Sequence, residues 1–125
     1  MDSDLDFNNI LIGSEDPQKL ADYYTKLLGE PVMSDGGYTG WAIGRGFVSV
    51  GPHSDVHGRN TTPGRMIWNI TTPDVKEVFE RFKAAGAIVA VEPYSMEMEG
   101  QPTAWIATFE DPDGNYFQLQ TPYET

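Results

Sequence analysis

Asp16-Pro17-Gln18-Lys19-Leu20-Ala21-Asp22-Tyr23-Tyr24-Thr25-Lys26-Leu27-Leu28-Gly29 is the stretch whose reading decides the fold. Asp16 can cap a helix, and Pro17 suits a first turn, where a backbone N–H has no partner to lose. Leu20, Tyr23, Tyr24, Leu27 and Leu28 recur at helical spacing and form one apolar face. Gly29 closes the helix as a residue free to take positive φ. The same design recurs downstream. Thr72-Pro73-Asp74 opens a second helix with Pro in its first turn, Val75, Val78, Phe79 and Phe82 line one face, and Gly86 closes it.

The flanking segments repeat too. Phe7–Gly13 precedes the first helix as an alternating strand, and Met66–Thr72 precedes the second. Pro31–Ser34, Tyr38–Ile43 and Gly46–Gly51 follow the first helix, with turn signals at Asp35-Gly36-Gly37 and Gly44-Arg45-Gly46. Ala87–Pro93, Thr103–Phe109 and Tyr116–Thr121 follow the second, separated by Met96–Gln101 and Asp111-Pro112-Asp113-Gly114. The chain thus reads β-α-β-β-β twice, an α+β pattern. Module one covers 7–51, a polar linker covers 52–64, and module two covers 65–122, all within a single domain over residues 1–125. Each module is too small to close a core alone.

Composition narrows the chemistry. The 125 residues include 19 acids against 8 Lys+Arg, for a formal charge of −11. Nucleic acid and anionic membrane surfaces need basic patches, so neither is expected as a partner. The absence of cysteine removes disulfides, thiolate catalysis and iron–sulfur clusters. Only His53 and His57 supply imidazole. The acidic start Met1-Asp2-Ser3-Asp4-Leu5-Asp6 lacks the basic and apolar stretches of a signal peptide, and no apolar run approaches the roughly 20 residues of a membrane helix. A cytoplasmic location is expected.

Three motifs carry a resemblance. Asp16-Pro17 leading to Asp22-Tyr23-Tyr24-Thr25-Lys26-Leu27-Leu28-Gly29 is similar to a D-x…F-Y-x-x-x-L-G stretch, with Tyr23 where Phe is usual. Thr72-Pro73-Asp74-Val75 leads in the same way to Phe82-Lys83-Ala84-Ala85-Gly86-Ala87. Phe109-Glu110-Asp111-Pro112-Asp113-Gly114-Asn115 is similar to an F-x-D-P-D-G-N signature. Together they resemble the vicinal oxygen chelate superfamily, which includes glyoxalase I, extradiol dioxygenases, and bleomycin and fosfomycin resistance proteins. The resemblance spans Phe7 to Pro122. It implies two βαβββ modules whose sheets curve into an open, barrel-like surface with the ligand on its concave face, and a homodimer. The fold hosts many unrelated reactions, so it does not settle function.

The metalloenzymes of that superfamily draw ligands from the first and last strands of each module. Seven residues before the helix-opening Asp lie Asn9 and Ile67. Four residues after Gly114 lies Gln118, where Glu is usual. The equivalent position in module one falls within Val48-Ser49-Val50. Isoleucine cannot bind a metal, and a neutral amide is a poor ligand for a transition metal. Neither Lewis-acid chemistry nor a two-His-one-carboxylate iron site is supported by these residues. No metal and no other cofactor are expected.

Alternation indicates what lines the face instead. Asn9, Leu11 and Gly13 share one side of the first strand. Ile67, Asn69 and Thr71 share one side of the fifth, and Tyr116, Gln118 and Gln120 one side of the last. Trp41, Trp105 and Tyr38 are candidate aromatic walls. The expected ligand-binding set is Asn9, Leu11, Trp41, Ile67, Asn69, Trp105, Gln118 and Gln120, suited to a neutral, partly apolar small molecule. The same amides would also be at home as satisfied groups in an unoccupied groove.

Other chemistry is sparse. His53-Ser54-Asp55-Val56-His57 is bounded by Pro52 and Gly58, which disfavours a helix and points to a solvated linker. Tyr94, Met96 and Met98 fall in the turn before Thr103, which reads as an ordinary hairpin loop or, through its methionines, as an adaptable lid. Three readings remain: a metal-independent binder of the bleomycin-resistance kind, a lyase or isomerase acting near a carbonyl through Glu110, Glu92, Tyr38 or a linker histidine, and a degenerate dimerisation or interaction module. Catalysis is left open, with no catalytic residue assigned.

Overall fold

A computed structural model describes residues 4–97, 99–100 and 103–122. Its contacts divide the chain after Gly58 into two compact units, 1–58 and 59–125.

In the first unit, β1 (Ile10–Ser14) leads into helix α1 (Pro17–Leu28), followed by β2 (Met33–Asp35), β3 (Tyr38–Ile43) and β4 (Gly46–Pro52). The strand order is β1-β4-β3-β2, with β1 parallel to β4 and the other pairs antiparallel. In the second unit, β5 (Ile67–Thr71), α2 (Val75–Ala84), β6 (Ile88–Met96), β7 (Ala104–Glu110) and β8 (Tyr116–Gln120) give the matching order β5-β8-β7-β6. Two βαβββ modules, each an open four-stranded mixed sheet carrying one helix, are therefore present.

The helix starts explain the repeat physically. Ser14 Oγ accepts from the Asp16 amide at 3.0 Å, and Asp16 caps α1 by accepting from the Lys19 amide at 3.3 Å. In the second unit Thr72 Oγ1 accepts from the Asp74 amide at 3.2 Å, and Asp74 accepts from the Glu77 amide at 3.2 Å. Each device satisfies donors the helix itself cannot satisfy. Pro17 occupies the first turn of α1, whereas Pro73 stands just before the Asp74 cap, outside α2. Gly29 and Gly86 take φ of 90° and 104° at the helix ends.

Each helix buries one face of its sheet. Leu20 and Tyr24 of α1 are buried with Trp41, Val48 and Val50. Trp41 lies edge-on to Tyr24, with ring centroids 6.0 Å apart, and its Nε1 donates to the Gly29 carbonyl at 3.0 Å. In the second unit Phe79 and Phe82 pack on Phe109, which stacks on Phe117, which stacks on Trp68, at centroid separations of 5.3–5.7 Å. Truncating one such buried ring costs about 3–5 kcal/mol.

Several boundaries differ from the sequence reading. β1 begins at Ile10, so Asn9 precedes the ladder. β6 runs on to Met96, so Tyr94 and Met96 are strand residues rather than turn residues; Met98 lies outside the described residues. The expected linker is tied down at both ends. The Gly58 amide donates to Glu15 Oε2 at 2.6 Å in the first unit. In the second, the Asn60 amide donates to the Asp113 carbonyl at 2.8 Å, and Pro63–Arg65 forms a 3-10 turn.

Candidate functional site

The face of the second sheet turned away from α2 is built from three cross-strand rows. Directly opposed residues in a ladder share a face, so the register places the side chains. One row runs Ile67, Tyr116, Glu110, Ile88 from β5 through β8 and β7 to β6. The next runs Asn69, Gln118, Thr108, Val91, and the third Thr71, Gln120, Ile106, Tyr94. Alternation in the sequence anticipates the β5 and β8 residues, and the register brings Ile67, Asn69, Gln118 and Gln120 together.

Hydrogen bonding orders the middle row. Gln118 Nε2 donates to Thr108 Oγ1 at 3.0 Å, and Thr108 is only 4% exposed. Asn69 Nδ2 makes a long contact of 3.5 Å to the Ile67 carbonyl. One carboxylate stands in these rows. Glu110 Oε1 lies 3.5 Å from Arg59 Nη2, while Arg59 Nη1 donates to the Pro112 carbonyl at 2.6 Å.

That arginine also rests on the Asp111–Asn115 turn. The buried Asp111 carboxylate accepts from the Asp113 amide at 2.9 Å and the Asn115 amide at 3.0 Å, and Asn115 Nδ2 donates to it as well. A Cβ on Gly114 would meet the Asn60 carbonyl at 2.9 Å and the Arg59 guanidinium at 3.2 Å, which is why glycine stands there. The F-x-D-P-D-G-N stretch is thus a self-satisfied turn that anchors the chain entering the second unit.

The corresponding face of the first sheet is different. Leu11 opposes Ser49 there, at the places Asn69 and Gln118 hold in the second sheet. The Phe47 ring fills the space above Gly40, and the Tyr38 ring fills the space above Gly51, with its hydroxyl donating to the Pro52 carbonyl at 3.3 Å. Val56 and His53 pack against Gly13. This face is covered largely by its own rings.

Several expected site residues stand elsewhere. Trp41 is 2% exposed in the core against α1, and Trp105 lies on the α2 side, with Lys76 Nζ 3.7 Å over its ring. The expectation of tryptophan walls is corrected for both: their strand parity matches the buried residues Val48 and Phe109 rather than the open rows. Asn9 is exposed before β1, its amide donating to the side chain of Asn8. Tyr38 does stand on the open side of its sheet. Thr108, Ile106, Val91 and Tyr94 were missed. Val91 and Tyr94 share a face although three residues apart, because β6 shifts register between Val89 and Val91 and again between Val91 and Tyr94. Period-two reading fails across such shifts.

His53 and His57 lie in a non-helical segment, and His53 Nδ1 accepts from the Asp55 amide at 3.1 Å. They line an open depression of about 500 Å³ together with Ser14, Glu15, Pro52, Ser54 and Val56. Among the described residues no group of three or more His, Asp or Glu side chains is arranged to hold a metal ion. At the superfamily's ligand positions the residues are Asn9, Ser49, Ile67 and Gln118, with no imidazole and no carboxylate. Neither the pair in the first unit, Asn9 and Ser49, nor the pair in the second, Ile67 and Gln118, fits a divalent transition metal. No helix among the described residues is long and apolar enough to cross a membrane.

Comparison with known proteins agrees with the fold. A glyoxalase/bleomycin resistance protein/dioxygenase family enzyme from Burkholderia phytofirmans PsJN superposes with a TM-score of 0.70 at 18% identity, 94% of this chain matching 98% of that one. A glyoxalase/bleomycin resistance protein from Albidiferax ferrireducens T118 gives 0.69 at 17% identity, with 93% and 98% covered. Hypothetical protein SA1046 from S. aureus gives 0.70 at 21% identity, with 94% of each chain covered. No curated protein is significantly similar in sequence. The model of the glyoxalase-like domain family matches residues 9–120. The chain belongs to the glyoxalase-like domain family, within the vicinal oxygen chelate superfamily.

Proposed function

We propose that this protein binds a small molecule on the open face of its second sheet without the help of a metal. The observation that carries the reading is the Asn69–Gln118–Thr108 row. Where a metalloenzyme of the superfamily presents a carboxylate, Gln118 presents an amide held by Thr108 Oγ1 at 3.0 Å. Such a row can orient a ligand by hydrogen bonds but offers no charge to offset a cation. The resemblance further supports a homodimer, a state that light scattering on purified protein measures directly.

Metal analysis and ligand screening test the reading together. The purified protein is expected to carry no stoichiometric Zn, Ni, Mn or Fe. Thermal-shift screening with glycopeptides, aromatic polyketides and 2-oxoaldehydes is expected to give stabilisation without turnover. A stoichiometric metal that is lost on Gln118→Ala would overturn the metal-free reading. Product formation from a 2-oxoaldehyde would favour an enzyme.

That second reading has one observation of its own. Glu110 and Tyr116 are directly opposed on the open face, a carboxylate beside a phenol. A lyase or isomerase acting near a carbonyl would use them as acid–base groups, and Glu110→Gln would abolish its turnover while leaving binding intact.

A further inference from the structure

The open face of the second sheet is not uniform, and its gradient has a direction. In the second and third rows the β5 and β8 columns present Asn69, Thr71, Gln118 and Gln120, β7 presents Ile106 and a Thr108 whose hydroxyl is taken up by Gln118, and β6 presents Val91 and Tyr94. Val91 and Tyr94 are 44% and 43% exposed, so this apolar side faces solvent. The polar side keeps unspent capacity. An amide side chain offers one acceptor oxygen and two N–H donors. The Gln118 side chain gives one N–H to Thr108, that of Asn69 makes only the long contact to Ile67, and that of Gln120 makes no hydrogen bond among the described residues. The only carboxylate in the rows, Glu110, is engaged by Arg59.

From this gradient we infer the class of ligand: an uncharged molecule whose head carries a donor and an acceptor side by side, as an amide, lactam or urea does, joined to an apolar body. The inference rests on the reading that this face holds the ligand. An amide edge meets an amide head with both a donor and an acceptor. A carboxylate head brings only acceptors and an amidinium head only donors, so each leaves one partner of every pair unmatched at the cost of desolvating a charge. Adjacent strands lie about 4.8 Å apart, so the β8 column and the β6 column are separated by about 10 Å. The ligand therefore needs a body of roughly that length, two linked rings or more.

Three probes of one shape test this: 4-phenylbenzamide, 4-phenylbenzoate and 4-phenylbenzamidinium, titrated into 15N- and methyl-labelled protein and followed by NMR. The neutral amide is expected to shift the side-chain NH2 signals of Asn69, Gln118 and Gln120 together with the methyl signals of Ile106 and Val91. It should bind about tenfold or more tightly than either charged analogue, a difference in line with the loss of one hydrogen-bonding match. Gln120→Leu changes a half-buried side chain that makes no hydrogen bond among the described residues, and is expected to weaken the amide about tenfold while leaving the weak charged analogues as they were. Equal or tighter binding of a charged analogue on this face, or an amide indifferent to Gln120→Leu, overturns the inferred class and leaves the ligand face standing. Failure of all three probes to shift any residue of these rows overturns the ligand face itself.

Discussion

Gln118 donates from its side-chain amide to the hydroxyl of Thr108 at 3.0 Å, across the ladder that joins β8 to β7. Thr108 is 4% exposed, so this oxygen has given up water for the glutamine. Thr108→Val keeps the shape and removes the acceptor. It is expected to cost about 1 kcal/mol in urea unfolding, the net worth of an ordinary hydrogen bond. Gln118→Leu removes the donor instead and leaves a buried hydroxyl, and should cost about 1–3 kcal/mol. A double variant less damaged than the sum of the two would show that the bond links them.

Gly51 is expected to resist any side chain. Its Cα carries the Tyr38 ring on the open side of the first sheet, and Gly40 carries Phe47 in the same way. Gly51→Ala places a methyl inside the Tyr38 ring position, so ring or strand must move, at about 1–3 kcal/mol as for other overpacked sites. In the background of Tyr38→Ala the same change should cost much less. Chemical denaturation of the four proteins measures the coupling; an unchanged cost in the two backgrounds would mean that the ring does not set the requirement.

Most of the fold was legible because each module repeats its own local signals. Asp16 and Asp74, the apolar helix faces and the glycines at 29 and 86 all recur where the structure uses them. The candidate face was half legible. β5 and β8 alternate without interruption, so Asn69, Gln118 and Gln120 could be placed from the sequence. The β6 column could not, because two register shifts put Val91 and Tyr94 on one side, and no residue pattern announces them. Trp41 and Trp105 misled for a different reason. An aromatic residue in a strand can serve a core or a wall, and only the pairing of Trp41 with Val48 fixes its side.

Asp111 is expected to be the most sensitive polar position in the second unit. It is fully buried and accepts from two backbone amides and the Asn115 side chain within one turn. Asp111→Ala strands those donors, and a loss above about 3 kcal/mol follows if each unsatisfied donor costs 1–3 kcal/mol. Asp111→Asn retains one carbonyl acceptor and should lose clearly less. Melting temperatures of both variants decide the point. Equal losses would trace the sensitivity to the negative charge rather than to the geometry of acceptance.

Glu77 gives a pH-dependent test. A hydrogen bond to the Asp74 side chain, followed by the Coulombic repulsion of that carboxylate, raises its pKa above the ordinary glutamate value of 4.5, while Arg81 opposes the shift. The folded protein therefore holds the Glu77 proton more tightly than the unfolded chain does. The corresponding stability is present below the unfolded value and is lost as pH rises through the raised folded value. Glu77→Gln keeps a hydrogen-bonding side chain beside the cap without the charge. It is expected to melt higher than the parent at neutral pH, and the gap should narrow as pH falls into the carboxylate range. A gap that stays constant with pH would place the effect in helix propensity instead of in the Asp74–Glu77 pair.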